Sequence, residues 1–363
     1  MAQSQVRIAW ELLSKFVTEV FVRAGVPPED AETQAAVLLW ANLRGVDSHG
    51  VQFVPRYVES IDTGQIKVKP NIQIERETPA TLLIDADYAL GPVVTVFALN
   101  RVMEKAKEVG IGWAFIRNTN HQGAMGYYPQ IAAEKDMVGI AWVCSEPNMT
   151  PYGAKTAGIA NNPIAIAVPA KRHRPLVLDM ATSIAAGGKL LTAREKGISI
   201  PEGWALDEDG NPTTDPWQVG ALLPVGGPKG SGLALMLECL TSVMLDTPKL
   251  EPTLQSKAKR IKVGDMPNKK SPVRRDIQNS VVAVIDISTF TDVEEYKEHI
   301  DNLIDGLKAL PEAEGFSEIF VPGEPEERAF DDRSRNGIPI PEKTFRTLQS
   351  IAERFNIELP VGL

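Results

Sequence analysis

From Ile72 onward the chain returns repeatedly to short apolar runs, "ATLLIDA", "IGWAFIR", "MVGIAWVC", "NPIAIAVPA", "PLVLDMAT", "SVVAVIDI" and "SEIFVPG". The first two read as buried strands and the others as further strand candidates. Helical patterns lie between them: "GPVVTVFALNRVMEKAKEVG", where Pro92 suits a first turn, and 184–196, 230–244, 291–308 and 342–355. So many strands with interleaved helices predict one large α/β layer structure. "VPAKRHRPLVL" joins two runs by a turn too short for a helical crossover, which predicts a hairpin and a mixed sheet.

The opening of the chain has a different texture. Leu12, Phe16 and Val20 recur every fourth position, with Leu13, Val17 and Phe21 beside them, and Gly25 is placed to end the helix. "VPPEDAETQAAVLLWANLRG" restarts it, with Pro28 in the first turn, acids where the helix dipole favours them and Gly45 at the far end. Ser48 is then placed to cap a third helix towards "RYVESIDTG". The reading is a small helical domain over 1–75, completed by the C-terminal segment 325–363, beside a mixed-sheet domain over 76–324. A basic excursion over 245–279 interrupts the latter, with nine Lys/Arg against two acids between Lys249 and Arg275. It reads as a solvated surface loop, the alternative being a flap over an anionic ligand or a subunit contact.

Composition narrows the function classes. The net charge of −9 argues against general nucleic-acid binding, which needs basic surface to displace counterions from phosphate. Two cysteines, Cys144 and Cys239, lie inside apolar runs and form neither a disulfide framework nor a metal-binding pair, as suits a reducing cytoplasm. The N-terminus has no signal-peptide pattern and no window has the length of a membrane span, so the expectation is a cytoplasmic soluble protein.

Only four histidines occur in 363 residues, and two sit among small and polar neighbours: His49 in "DSHG" and His121 in "NTNHQGAMGYY". The second follows a strand directly, where side chains of α/β layers face the ligand crevice. Imidazole exchanges protons near neutrality, so both are candidates for acid/base work, although loop histidines are as often structural. His173, in the turn "KRHRP", and His299, on a charged helix, read as solvent-facing. A zinc site would have to gather distant ligands such as His49, His121 and Asp47, and no metal is expected. "GGPKGSGLALMLECL" places Lys229 before an apolar helix whose amides suit a phosphate, though close packing alone would explain its glycines. No GxGxxG follows a strand, so an ordinary Rossmann fold has no support.

Taken together, "RGVDSHGV", "NTNHQGAMGYY", "NNPIAIAVP", "LVLDMATS", "IPEGWALDEDGNPTTDP", "LLPVGGPKGSGLALM" and "VPGEPE" resemble the type-2 malate/L-lactate dehydrogenase family. That family includes sulfolactate, ureidoglycolate and diketogulonate dehydrogenases and cyclic imine-carboxylate reductases. The resemblance implies a helical domain joined to a non-Rossmann, mixed-sheet domain that binds NAD or NADP, usually in homodimers. It places Ser145, Asp179, Met180, Ala181, Lys229, Gly230, Pro322, Gly323 and Glu324 on dinucleotide positions. His49 and His121 fall on the proton donor or acceptor, with Ser48 and Asn120 beside them to orient a small-molecule substrate. Where the family has arginine for the substrate carboxylate, this chain has Phe53; Arg56, about one helical turn on, is the candidate replacement. Gln122, Asn161 and Ser231 depart as well. The implied activity is hydride transfer between nicotinamide and a small 2-oxo/2-hydroxy acid or related carbonyl. Reduction of a cyclic imine carboxylate and a catalytically inactive nucleotide-binding sensor are the alternatives.

Overall fold

The computed structural model describes residues 6–250, 254 and 277–362. A short strand β1 (Val6–Ile8) leads into helices α1 (Trp10–Arg23), α2 (Pro28–Leu43) and α3 (Val54–Asp62). The chain continues through β2 (Gln73–Glu77), β3 (Thr81–Asp85), α4 (Gly91–Val109), β4 (Ile111–Thr119), α5 (Tyr127–Ala133), β5 (Met137–Cys144), β6 (Ile164–Val168) and β7 (Leu176–Met180). After α6 (Gly187–Lys196) come three two-residue strands, β8 (Ala205–Leu206), β9 (Pro212–Thr213) and β10 (Ala221–Leu222), then α7 (Pro228–Glu238). The remaining elements are β11 (Gln278–Asp286), α8 (Val293–Lys308), α9 (Glu324–Asn336), β12 (Ile338–Ile340) and α10 (Glu342–Phe355).

The main sheet has seven strands in the order β2-β3-β4-β11-β5-β6-β7. It is mixed, as the sequence predicts: β3 and β4 run parallel through the α4 crossover, and the "VPAKRHRPLVL" segment forms the β6–β7 hairpin. β11 arrives late in the chain yet lies at the centre, buried from Gln278 to Val284. Its two faces explain this. Val282 and Val284 join Leu82, Ile84, Ala114, Ile116 and the α4 residues Ala98, Leu99 and Val102 in one core, while Val281 faces Trp142, Cys144 and Leu237 under α7. Each fully buried Val, Leu or Ile contributes about 1.5–3 kcal/mol. Gly112 is required for the α4 approach, since a Cβ there would lie 2.0 Å from Val102 O.

A second core joins both ends of the chain. Leu13, Phe16, Val20 and Phe21 of α1 and Leu38 of α2 pack with Ile338, Ile340, Leu348 and Ile351. β1 pairs antiparallel with β12, Val6 opposite Ile340. Pro28 stands in the first turn of α2, and Gly25 and Gly45 follow their helices with φ of 94° and 78°.

Three expectations are corrected. "SEIFVPG" is not a strand: Pro322 has no N–H for a ladder, and Gly323, with φ 93°, turns the chain into α9; one hydrogen bond, Val177 N to Pro322 O, ties it to the sheet edge. Ser48 caps no helix, because residues 47–53 form two tight 3₁₀ turns and α3 begins at Val54 with Pro55 in its first turn. The helix expected over 230–244 ends at Glu238 and continues as a wider π turn, Cys239–Val243. Most of the basic excursion, 251–253 and 255–276, lies outside the described residues. Among those described, no helix is long and apolar enough to cross a membrane.

Candidate active site

The turn carrying His49 is held by Asn42, near the end of α2. Its amide nitrogen donates to Asp47 Oδ1 at 2.7 Å, and its Oδ1 accepts from Val51 N at 2.8 Å. Gly50 permits this contact, since a Cβ there would lie 2.2 Å from Asn42 Oδ1. Arg333 of α9 then clamps Asp47 with bonds of 2.6 and 3.0 Å, a planar two-point grip typical of guanidinium on carboxylate. α6 enters from the other side: Gly188 has room for no side chain, because a Cβ would meet Ser48 Cβ at 2.2 Å.

This scaffold brings the two candidate histidines together. The rings of His49 and His121 lie 5.6 Å apart, 15° from parallel. Phe53 stacks on His121 at 4.9 Å and 3°, and lies 6.1 Å from His49. Ser48 Oγ is 3.1 Å from His49 Nδ1. Tyr57, one turn beyond Phe53, sets its hydroxyl 2.7 Å from His121 Nδ1 and donates to His121 O at 3.2 Å. The hydroxyl has one proton, and the shorter of its two contacts is the one to Nδ1, so Tyr57 fixes the orientation of the ring. Arg56 places its guanidinium 5.6 Å over the Phe53 ring.

Electrostatics follow from this packing. Protein surrounds both rings, although each keeps partial exposure to a cleft. Burial lowers His49 from its ordinary value to about 4. His121 is held well below the ordinary histidine range, first by burial, then by repulsion from His49 and from Arg56. Both imidazoles are therefore neutral near pH 7.

The cleft has a volume of about 1840 Å³ and runs from the histidine turn across the strand ends to α9 and α10. Ser48, Phe53, Arg56, Ser145, Asp179, Met180, Ala181, Pro322 and Gly323 all line it with His49 and His121. Asp179 accepts from Gly126 N at 2.8 Å; it opens onto the cleft, but surrounding protein displaces enough water to push its carboxyl up to about 6. Other predicted residues lie off the walls. Asn120 is buried and donates to the carbonyls of Tyr88 and Ala89 at 2.9 and 3.2 Å, holding the loop before His121. Glu324 pairs with Lys308 at 2.6 Å. Lys229 is exposed beyond the lining, and Gly230 packs so closely that a Cβ would lie 2.5 Å from Thr182 O.

Tyr57 and Gln278 were not found from sequence. The four-residue step from Phe53 to Tyr57 signals a shared helix face, whereas nothing in "RRDIQNSVV" marks Gln278. His173 is held by Asp305 at 2.7 Å and His299 is exposed, both away from the cleft walls.

A family model described as malate/L-lactate dehydrogenase matches residues 8–349. The L-sulfolactate dehydrogenase of Methanocaldococcus jannaschii is 39% identical over 347 residues, spanning 95% of this chain and 96% of that protein. The ureidoglycolate dehydrogenase (NAD(+)) of Escherichia coli O157:H7 is 33% identical over 346 residues, spanning 95% and 96%. The solved structure of malate dehydrogenase from Pyrococcus horikoshii OT3 superposes with a TM-score of 0.85 at 35% identity, covering 99% of this chain and 97% of that one. With the mixed seven-stranded sheet and a match that spans almost the whole chain, this protein belongs to the malate/L-lactate dehydrogenase family of oxidoreductases.

Proposed function

We propose that the protein is an NAD(P)-dependent dehydrogenase interconverting a small 2-hydroxy acid and its 2-oxo acid, or a related carbonyl, with the His49–His121 pair handling the proton. The observation that carries this reading is the meeting of two neutral imidazoles, from separate segments, on one wall of a cleft. The ureidoglycolate dehydrogenase (NAD(+)) relative named above supports the cofactor. So does the cleft, larger than the roughly 300–1,000 Å³ of ordinary small-molecule sites. A third support is the buried Gln278 Oε1 on its wall, which has no hydrogen-bond partner among the described residues. Ser145, Asp179, Met180, Ala181, Pro322 and Gly323 would hold the cofactor.

When bound, the nicotinamide supplies the hydride chemistry. The protein's own part is proton handling and orientation. A neutral imidazole presents a lone pair to the substrate hydroxyl and withdraws its proton as the carbon is oxidised, an effect of about 10²–10⁴-fold. In reduction, the imidazolium returns that proton to the oxygen. Tyr57 holds the His121 ring in place through its contact with Nδ1. Position 53 holds no guanidinium, and that of Arg56 lies over the Phe53 ring, so the favoured substrate is larger or less acidic than malate or lactate.

Replacing His121 or His49 by Ala is expected to lower turnover by orders of magnitude while leaving NAD(P)H affinity within a few-fold. Turnover would be read on a panel of 2-oxo acids and a cyclic imine carboxylate by NADH and NADPH absorbance. Near-normal turnover in both variants sinks the proton-handling role. The exposed Met236, Leu240, Val243 and Met244 support a homodimer as the working form, and a monomeric mass by light scattering would count against it.

A further inference from the structure

Gln278 stands at the start of the central strand β11, opposite Thr119 at the end of β4. Its neighbour Asn279 pairs antiparallel with Cys144, so Gln278 lies beside Ser145 at the end of β5. It thus sits between the Ser145 strand end and the loop carrying His121, and all three residues line the cleft. Gln278 is only 8% exposed, and its Oε1 has no hydrogen-bond partner among the described residues. A buried amide oxygen left unpaired is costly, so such a group on a cleft wall marks where a ligand donor belongs.

Two nearby amide donors are already committed. Gln122 Nε2 goes to Ser280 Oγ at 2.7 Å, and the Asn120 amide goes to main-chain carbonyls. Nor does the proposed substrate offer one: its carboxylate only accepts, and its hydroxyl proton goes to histidine. The dinucleotide's adenine amine and ribose hydroxyls also donate, but the nicotinamide carboxamide is the donor on the ring that exchanges hydride, and so the one that belongs next to the His121 loop. Resting on the dinucleotide reading above, we propose that Gln278 is a cofactor-specificity residue, its Oε1 accepting an N–H of the nicotinamide carboxamide.

The test is calorimetric binding, independent of turnover. Wild type, Gln278→Leu and Gln278→Glu are titrated with NADH and NADPH. The tighter of the two is then compared with its reduced 3-acetylpyridine analogue, whose acetyl group has no N–H. Wild type is expected to prefer the carboxamide form by about tenfold. Gln278→Leu should collapse that preference to twofold or less, through weaker binding of the carboxamide form alone. Gln278→Glu still presents an acceptor and should keep it. Equal weakening of both ligands in Gln278→Leu, or an undiminished preference, overturns the assignment. So does loss of the preference in Gln278→Glu, which also decides the matter should the leucine variant fail to fold. Wild type binding neither NADH nor NADPH would instead bring down the dinucleotide reading, and this assignment with it.

Discussion

Phe53 is the residue whose removal tests the electrostatics of the site most directly. Its ring covers His121 face to face at 4.9 Å and lies 6.1 Å from His49. Burial is the leading cause of depression in both histidines. For His49, a fall from 6.5 to about 4 corresponds to roughly 3 kcal/mol against the charged form. Phe53→Ala admits water to one face of the cluster, and recovering a third to a half of that amount raises the His49 midpoint by about one pH unit. Arg56, now stacked on Phe53, is the competing influence, since a guanidinium swinging towards His121 would lower it further. The double variant Phe53→Ala/Arg56→Gln removes that competition. The assay is nuclear magnetic resonance of ¹³C-labelled histidine, where four side chains give four signals. Linkage gives a second readout. Between pH 6.5 and about 4 the unfolded chain binds more protons at this position than the folded one. The contribution of His49 to stability is therefore complete above 6.5 and is lost as pH falls through that window, less steeply in the variant. Unchanged midpoints in both single and double variants would refute the idea that the aromatic lid sets these values.

Tyr57→Phe removes the hydroxyl 2.7 Å from His121 Nδ1 and leaves a buried ring nitrogen unpaired, which costs about 1–3 kcal/mol. Turnover should fall roughly ten- to a hundredfold with dinucleotide affinity kept, and full activity would deny Tyr57 its orienting role. Phe53→Arg restores a two-point carboxylate grip and should raise kcat/KM on small 2-oxo acids by roughly tenfold or more, as read by NAD(P)H absorbance; no gain would detach position 53 from substrate choice. Asp179, with its carboxyl near 6, gains charge as pH rises from 5 to 7. If it accepts from cofactor hydroxyls, calorimetric affinity for NAD(P)H strengthens over that interval, and Asp179→Asn flattens the dependence; a parallel slope in the variant would assign it elsewhere.

What was legible in the chain follows from how burial writes itself into sequence. β4, β5 and β11 show as apolar runs because both faces of the central sheet are covered there, whereas β3 and β6 bury alternate residues and β7, at the sheet edge, leaves Leu178 and Asp179 exposed. β2, "QIERE", left no such mark: it is an edge strand, mostly exposed, and its charges are those that keep a sheet edge from pairing further. The pair β1 and β12, three residues each, is set by contact between the two ends of the chain, which no local window contains. Apolar content also misled at "SEIFVPG", where Pro322 and Gly323 outweigh the run before them.

At the site, motif and geometry diverge for a physical reason. "DSHG" and "NTNHQG" mark backbone that must bend tightly, and such loops need small polar residues whether or not they do chemistry. The same signature therefore covers His121, which faces the cleft, and Asn120 beside it, which turns inward to hold Tyr88 and Ala89. Lys229 and Gly230 share a phosphate-like sequence, yet Gly230 is explained by the 2.5 Å approach to Thr182 O, a demand of packing alone. Gln278 is the converse: an ordinary residue before a valine run, given meaning only because β11 is threaded between β4 and β5. Functional placement in this fold is thus set by strand order, which brings residues more than a hundred positions apart to the same end of the central strands. A reading from local motifs will find the turns that carry chemistry and overlook the buried side chains that choose its ligand.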